Sequence, residues 1–277
     1  MFAISDSGAL VYALHYGAFV ARPIECLDRS GRRTMLRPNS FEWADPSFSP
    51  DGQRLALTVS DRRESDIWID YWGRSALTRL THFEAGSVSA VWTPDGRRIV
   101  FSSQRDPKER IPNLYWLQAD GSGAAERLTT SPNGQAPGSW HPSGKVLAFT
   151  AFPPDASQFT VMLLPMEGDE GSGWKPGNPT VFLGGAFNQR APAFSPDGRW
   201  LAYESNQSGT YNIYVRPYPG PGAQTQISPS GGEAVTWSRN GHELIYAAPD
   251  QRVMMSATPW QVTRSTPANH AHGRRRF

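Results

Sequence analysis

A ten-residue phrase recurs along this chain of 277 residues. It reads FSPDGQRLAL from Phe48, WTPDGRRIVF from Trp92, WHPSGKVLAF from Trp140, FSPDGRWLAY from Phe194 and WSRNGHELIY from Trp237, and a weaker copy, SDSGALVYAL, stands near the start. The glycines of successive copies are 43 to 54 residues apart, which is close to the period of a four-stranded propeller blade. The repeat therefore predicts one small sheet per copy, packed against its neighbours.

Each copy can be divided into four strands. An apolar stretch ends in Phe or Trp, a turn follows, and then come β-prone runs such as RIVFSS, NLYWLQ and ERLTT. Strand-forming residues bounded by Gly, Asp, Asn and Pro are typical of short strands joined by tight turns. Apolar spacing of the helical kind is not sustained anywhere. We predict an all-β fold, a six-bladed β-propeller with four antiparallel strands per blade, closed into a ring without free sheet edges.

The C-terminal end differs from the other repeats. We assign residues 1–257 to a single propeller and residues 258–277 to an atypical tail, because no clear fourth strand follows the run ELIYAAPDQRVMMSA. The sequence leaves open whether the last blade is complete.

The acidic residues of the recurring phrase are predicted to be structural. Proline presets φ for a turn, aspartate bonds its own backbone, and glycine accepts positive φ. Asp51, Asp95 and Asp197 occupy the same place in three copies. A functional site is not expected once per blade, so we interpret the phrase as the turn between the first and second strands.

The charge balance excludes some partners. The net charge is +2, and Arg274, Arg275 and Arg276 alone contribute +3, so the body of the chain is nearly neutral. A nucleic-acid or anionic-membrane surface is therefore not indicated. The single cysteine, Cys26, rules out an internal disulfide. No apolar run approaches the ~20 residues that span a bilayer, and the start MFAISDSGAL lacks the features of a secretory signal, so we expect a soluble protein.

Several segments resemble a known family. The run SPDGRWLAYESNQSGTYNIYVRPYPGPG, the run GGEAVTWSRNGHELIY and the run LTRLTHFEAGSVSAVWTPDGRRIVFSS resemble TolB-like six-bladed propellers, most closely the C-terminal propellers of bacterial serine/threonine kinases and winged-helix regulators. The resemblance covers roughly Phe2 to Met255, and the tail departs from it. It implies a sensor-like propeller that binds ligands or partners, located in the periplasm or elsewhere outside the cytoplasm. No kinase motif is present in this chain.

Ligands of propellers usually bind at one end of the central channel, which is formed by the segments that enter each first strand. Polar and aromatic residues of these segments are our predicted ligand-binding residues: Glu42, Trp43, Asp45, Glu84, Gln135, Asn188, Arg190 and Glu233. Pockets do fall in the mouths of such barrels. The alternative, that these segments are polar because they meet water, stays open.

Four of these residues carry the oxygen ligands that hard cations prefer. We predict Glu42, Asp45, Asn188 and Glu233 as ligands of a divalent cation, Ca²⁺ or Zn²⁺, in the central channel. His15 and His82 are predicted to lie on the same face, where a histidine can bind Zn²⁺ or act as a general base; they are our candidate catalytic residues. The signatures His-Glu-x-x-His, Cys-x-x-Cys and Gly-x-Ser-x-Gly are absent.

Three functions are compatible with these features. The first is a ligand- or protein-binding propeller, detached from a kinase or regulator. The second is a divalent-metal-dependent, promiscuous hydrolase of phosphotriesters, lactones or aryl esters, in which the cation polarises the reacting oxygen. The third is a peptidase-accessory or periplasmic scaffold. Expected partners are a small molecule or a protein at the channel face, without nucleic acid or membrane insertion, and a second copy docked through an exposed edge of the last blade.

Overall fold

The structure of the chain is a computed structural model. The structure describes residues 2–4, 10–12, 24–28, 32–37, 42–60, 64–71, 77–82, 86–105, 108, 111–258 and 275–276. Within these ranges the regular structure is entirely β-strand, and no helix there is long and apolar enough to cross a membrane. The prediction of an all-β, six-bladed propeller is confirmed.

The first three blades each contain four strands. Blade 1 is built from β1 (Phe2–Ile4), β2 (Leu10–Tyr12), β3 (Ile24–Leu27) and β4 (Arg33–Arg37). Blade 2 is built from β5 (Glu42–Phe48), β6 (Arg54–Ser60), β7 (Ser65–Tyr71) and β8 (Leu77–Arg79). Blade 3 is built from β9 (Ser87–Trp92), β10 (Arg98–Ser103), β11 (Asn113–Gln118) and β12 (Glu126–Arg127).

The last three blades follow the same plan with one addition. Blade 4 is built from β13 (Gly134–Trp140), β14 (Val146–Phe152), β15 (Thr160–Glu167), β16 (Lys175–Pro176) and β17 (Thr180–Leu183). Blade 5 is built from β18 (Gln189–Phe194), β19 (Trp200–Ser205), β20 (Asn212–Pro217) and β21 (Thr225–Gln226). Blade 6 is built from β22 (Glu233–Trp237), β23 (Glu243–Ala247), β24 (Val253–Ala257) and β25 (Arg275–Arg276).

Within each sheet successive strands pair antiparallel, except that β17 pairs with β15 instead of β16. The first strands form the inner wall of the ring, because β1, β5, β9, β13, β18 and β22 contact one another in turn and β22 returns to β1. Apolar clusters fill the joints between blades, as for Ile67 and Ile69 of blade 2 with Trp92 and Phe101 of blade 3. The first residues of the inner strands therefore lie at one end of the channel wall.

Blade 4 departs from the predicted plan of four strands, and blade 6 answers a question that the sequence left open. Blade 4 has five strands, because the insertion after β15 returns twice to it, first at Lys175–Pro176 and then at Thr180–Leu183. Blade 6 does have a fourth strand: β25 pairs with β24, with Met254 opposite Arg276. A two-residue pairing carries no apolar pattern, and the sequence offered no other signal for it.

The recurring phrase forms the predicted turn. Asp51 accepts hydrogen bonds from the Ser49 hydroxyl at 2.5 Å and from the Gln53 amide at 3.0 Å, and Gly52 has a φ of 68°. The same pattern recurs at Thr93 and Asp95, at Ser195 and Asp197, and at Ser238 and Asn240. The interpretation of these acids as structural is confirmed.

Candidate channel site

Each inner strand from blade 2 to blade 6 carries a bulge three residues before its terminal Phe or Trp. The pairing register shifts there in every one of these blades. The residue at this position has a positive φ in four blades, namely Asp45, Ser89, Ala191 and Ala234, at 50° to 60°. The fifth blade has Pro137, whose ring holds φ near −65°. A β-bulge bends its strand, so each of these inner strands bends at this position within the channel wall.

A side chain of the preceding blade braces this bulge. The acceptor oxygens of Thr58, Thr150 and Glu204 bind the backbone N–H groups of Ser89, Ala191 and Ala234, at 3.1, 3.0 and 2.6 Å respectively. All three acceptors occupy the same position of the second strand, opposite Ala44, Ala136 and Arg190 in the pairing register.

The brace changes form where proline removes the donor. Ser102 occupies the same position in blade 3, and the residue that it faces in blade 4 is Pro137, which has no N–H. The Ser102 hydroxyl instead donates to the carbonyl of Gln135 at 2.6 Å. The braces are thus a repeated joint between blades, and blade 5 is exceptional because it uses a carboxylate.

Asp45 adds a second carboxylate to the joint between blades 2 and 3. Its Oδ2 accepts hydrogen bonds from the Ser89 amide at 3.1 Å, the Ser89 hydroxyl at 3.0 Å and the Thr58 hydroxyl at 3.2 Å. Burial raises the pKa of the Asp45 carboxyl, while these hydrogen bonds oppose the shift. The carboxylate therefore lies fixed in the inner wall.

Arg190 and Glu204 form a charged pair at the joint between blades 5 and 6. Glu204 is fully buried, and its Oε2 accepts from Arg190 Nε at 2.8 Å. Arg190 Nη2 lies 3.4 Å from Glu233 Oε1 of the next inner strand. Burial raises the pKa of the Glu204 carboxyl, although the positive charge of Arg190 counteracts this.

Aromatic rings surround this pair. The guanidinium carbon of Arg190 lies 3.9 Å from the centre of the Tyr211 ring and 5.9 Å from that of Phe159, within the range of cation–π attraction. The Phe159 amide donates to Asn188 Oδ1 at 2.9 Å. Phe187, which precedes Asn188 in the sequence, has 47% of its surface exposed. We name Phe159, Phe187, Arg190, Tyr211 and Glu233 the mouth patch.

Two predicted ligand-binding residues form hydrogen bonds that connect neighbouring blades. Gln135 is buried, and its Oε1 accepts from the Thr129 hydroxyl. Asn188 Oδ1 accepts from the Phe159 amide, as above, and the backbone N–H of Asn188 donates to Asn206 Oδ1 at 2.8 Å. These contacts join the end of one blade to the start of the next, and their assignment to a ligand stays a prediction.

Several residues that we predicted in the segments entering the inner strands belong to the strands themselves. Glu42, Trp43, Asp45, Arg190 and Glu233 all lie within inner strands. The reason is the bulge, which lets a strand contain residues such as Asp45 and Pro46 that otherwise indicate a loop.

Trp43 also differs from the prediction in its surroundings. It packs against the apolar cluster between blades 1 and 2, which includes Val11, Phe48 and Val59. An aromatic ring in that position fills the joint between blades, and the role of Trp43 in binding a ligand stays a prediction.

Only one of the two candidate catalytic histidines lies in the part of the chain that the structure describes. His82 is exposed in the segment that follows β8. His15 lies outside the described residues, and so does the predicted ligand-binding residue Glu84.

The predicted cation site receives no support from the geometry. Among the residues that the structure describes, no three or more His, Cys, Asp or Glu side chains come together in a group that could hold a metal ion. Glu42, Asp45 and Glu233 are described and do not form such a group. Their role as metal ligands stays a prediction.

Sequence reasoning missed Glu204 and Tyr211. A signal for Glu204 was present, because RLALTVS, RIVFSS and VLAFTAF have Thr58, Ser102 and Thr150 where WLAYES has a glutamate. A carboxylate in the middle of a buried strand requires a partner. Tyr211 gave no such signal, since its role depends on Arg190 lying above it.

The sequence matches a family description over more than half of its length. The TolB β-propeller domain (PD40) matches residues 24–172. The fold is similar to a solved structure described as putative TolB from Agrobacterium tumefaciens, with a TM-score of 0.68 and 20% identity, over 83% of this chain and 82% of that one.

Other similar proteins have different descriptions. A gluconolactonase from Xanthomonas campestris has a TM-score of 0.66 and 16% identity, over 93% of this chain and 85% of that one. At such identities the likeness shows the fold alone. A curated relative, the uncharacterized peptidase YuxL of Bacillus subtilis, is 37% identical over 68 residues, which are 22% of this chain and 10% of the peptidase. This chain therefore matches only about a tenth of that relative's length.

Proposed function

The chain belongs to the TolB β-propeller domain family, and from this premise we propose that it is a ligand- or protein-binding propeller whose target docks on the mouth patch and the adjoining channel wall. One observation carries the proposal. Arg190 is fixed between two carboxylates and lies over Tyr211, with 22% of its side chain still exposed.

Fixed arginine and aromatic side chains are typical of binding hot spots. Arg and Tyr are enriched there because they offer large contact areas together with directed hydrogen bonds. In the mouth patch the exposed Phe187 adds apolar surface, and the side chain of Glu233 is 34% exposed. A surface that is ordered before binding loses less conformational entropy when a partner docks.

We propose further that the propeller serves as a sensor-like module of a kinase, a regulator or another larger protein, located outside the cytoplasm. The family membership supports a propeller used for recognition, and the named neighbours do not single out one role. A homodimer formed through the edge of the last blade is part of the same proposal.

The proposal is tested with a defined panel of synthetic peptides, sugars and organic ions, screened by thermal shift and then by calorimetry. Phe187→Ala removes the exposed ring, and Val181→Ala is the matched control, because Val181 is 64% exposed on the outer strand β17. We expect a genuine ligand to lose about tenfold in affinity, or ~1.4 kcal/mol, in the first variant. Equal binding by both variants and the wild type would contradict the proposal.

The hydrolase remains the alternative. Its support is the fold shared with a gluconolactonase, and fold alone does not determine function. A metal analysis combined with hydrolysis of aryl esters, lactones and phosphotriesters, with and without chelator, tests it. A stoichiometric cation with chelator-sensitive turnover would favour the alternative, and turnover at the rate of buffer alone would reject it.

A further inference from the structure

The ring closes without an exchange of strands between its ends. Every described sheet is built from consecutive strands, and β25 completes the same blade as β24. Blades 6 and 1 therefore share no ladder of backbone hydrogen bonds among the described strands. Their joint depends on side-chain packing and on contact between β22 and β1.

Apolar side chains pack at this joint. The described cluster between blades 6 and 1 contains four buried residues, Leu10, Ala234, Ile245 and Val253. The clusters at the joints between blades 2 and 3 and between blades 3 and 4 each contain ten. The cluster between blades 5 and 6 also contains four, Ala202, Val215, Trp237 and Leu244, so the contribution of apolar burial, the main favourable term at such joints, differs around the described part of the ring.

Arg239 supplies a contact of a different kind. It stands in the turn after β22, at the position where four of the other five copies of the phrase have proline: Pro50, Pro94, Pro142 and Pro196. Arg239 Nη2 donates to the carbonyl of Ser49 at 3.0 Å, and Nη1 donates to the carbonyl of Pro50 at 3.2 Å. A guanidinium can hold two adjacent acceptors at once because its N–H groups form a planar fork.

The two ends of this contact belong to blades that are not neighbours. Other contacts at this end of the ring join adjacent blades: Arg54 of blade 2 donates to the carbonyl of Gly96 in blade 3 at 2.9 Å. Arg239 lies in blade 6 and Ser49 in blade 2, so this contact joins two blades that have blade 1 between them in the order of the ring. The turns lie at the ends of the inner strands, opposite the mouth patch at their beginnings.

We propose that Arg239 is a strap that ties blade 6 to blade 2 across blade 1 and holds the ring closed at the end of the channel opposite the mouth patch. Proline at this position has no donor, so the four other turns cannot form this contact. The strap spans the joint between blades 6 and 1, where no strand is exchanged among the described strands, and its loss would let blade 1 and the edge of blade 6 open before the rest of the ring.

Hydrogen exchange followed by mass spectrometry tests the strap on the full chain. Arg239→Pro restores the residue of the other turns and leaves Asn240 and Gly241 in place, so the turn itself is retained. Arg239→Lys keeps the charge without the fork. Arg252→Ala is the control, because Arg252 is exposed and pairs with Asp250 in its own turn.

We expect amides of β2, β3 and β22 to exchange at least about fivefold faster in Arg239→Pro, the factor that one net hydrogen bond contributes. Amides of β10 and β14 should keep their rates, Arg239→Lys should be intermediate, and the control should match the wild type. The proposal is overturned by unchanged rates in blade 1 or by an equal rise in all blades. If Arg239→Pro cannot be purified, Arg239→Ala replaces it under the same criteria.

Discussion

Arg190→Ala is expected to destabilise the fold by about 3 kcal/mol at pH 7, because it leaves the buried Glu204 carboxylate without its partner. Breaking a buried ion pair on one side typically costs 3–5 kcal/mol. In this protein the cost has an upper limit, since the carboxyl can take up a proton instead. Neutralising a group of ordinary pKa 4.5 at pH 7 costs about 3.4 kcal/mol, at about 1.36 kcal/mol for each pH unit.

The same reasoning fixes the dependence on pH. Burial raises the pKa of Glu204, so the folded state holds its proton more tightly than the unfolded state does. The cost of keeping Glu204 charged is therefore fully present above its pKa in the folded state. This cost is relieved as the pH falls toward the pKa of Glu204 in the unfolded state. At pH 5 the limit falls to about 0.7 kcal/mol, and Arg190→Ala should then be much closer to the wild type.

The residue pairs at the same position in other blades indicate which second substitution compensates for Arg190→Ala. Ala44 faces Thr58 in blade 2, and Ala136 faces Thr150 in blade 4, where blade 5 has Arg190 facing Glu204. The double variant Arg190→Ala with Glu204→Thr therefore gives blade 5 the pair that blades 2 and 4 already use. A threonine hydroxyl can still accept the Ala234 amide, as Thr150 does for Ala191.

Urea unfolding at pH 7 and pH 5 provides the measurement. We expect Glu204→Thr alone to cost about 1–2 kcal/mol and the double variant to lie within about 2 kcal/mol of the wild type, so the pair is coupled by about 2–3 kcal/mol. Additive single effects would refute the reasoning. A cost of Arg190→Ala that is the same at both pH values would refute it as well.

Three further predictions concern the turns and the inner wall. Gly198→Ala should cost at least about 1 kcal/mol more than Gly144→Ala in thermal unfolding, since both have a φ near 70° but only the first places a Cβ 2.3 Å from His141 Nε2. The wild type should gain stability as the pH falls through the raised pKa of Asp45. Asp45→Asn should abolish this gain, and identical pH profiles of melting temperature would contradict the prediction. Asp51→Ala should lower the unfolding free energy by about 1 kcal/mol, because it removes the bonds from Ser49 and Gln53, and an unchanged free energy would argue against the structural role of the phrase.

Local sequence determined the blades. The recurring turn is specified within a few residues, through Asp51 bonding the groups of Ser49 and Gln53 and through Gly52 at positive φ. The aromatic residue before each turn packs between blades: Trp92 Nε1 donates to the carbonyl of Ser47 in the preceding blade at 2.9 Å. Period, turn and aromatic residue together were sufficient to predict six blades.

Tertiary structure decided the contacts between repeats. Glu204 is bonded to Ala234, 30 residues away, and Arg239 reaches Ser49 at a separation of 190 residues. No pattern within one repeat indicates which oxygen of a neighbouring blade an arginine will meet, because that depends on the stacking and closure of the ring. Turn and strand preferences act over a few residues and can be read from the chain, whereas the mouth patch and the strap exist only once the blades are assembled.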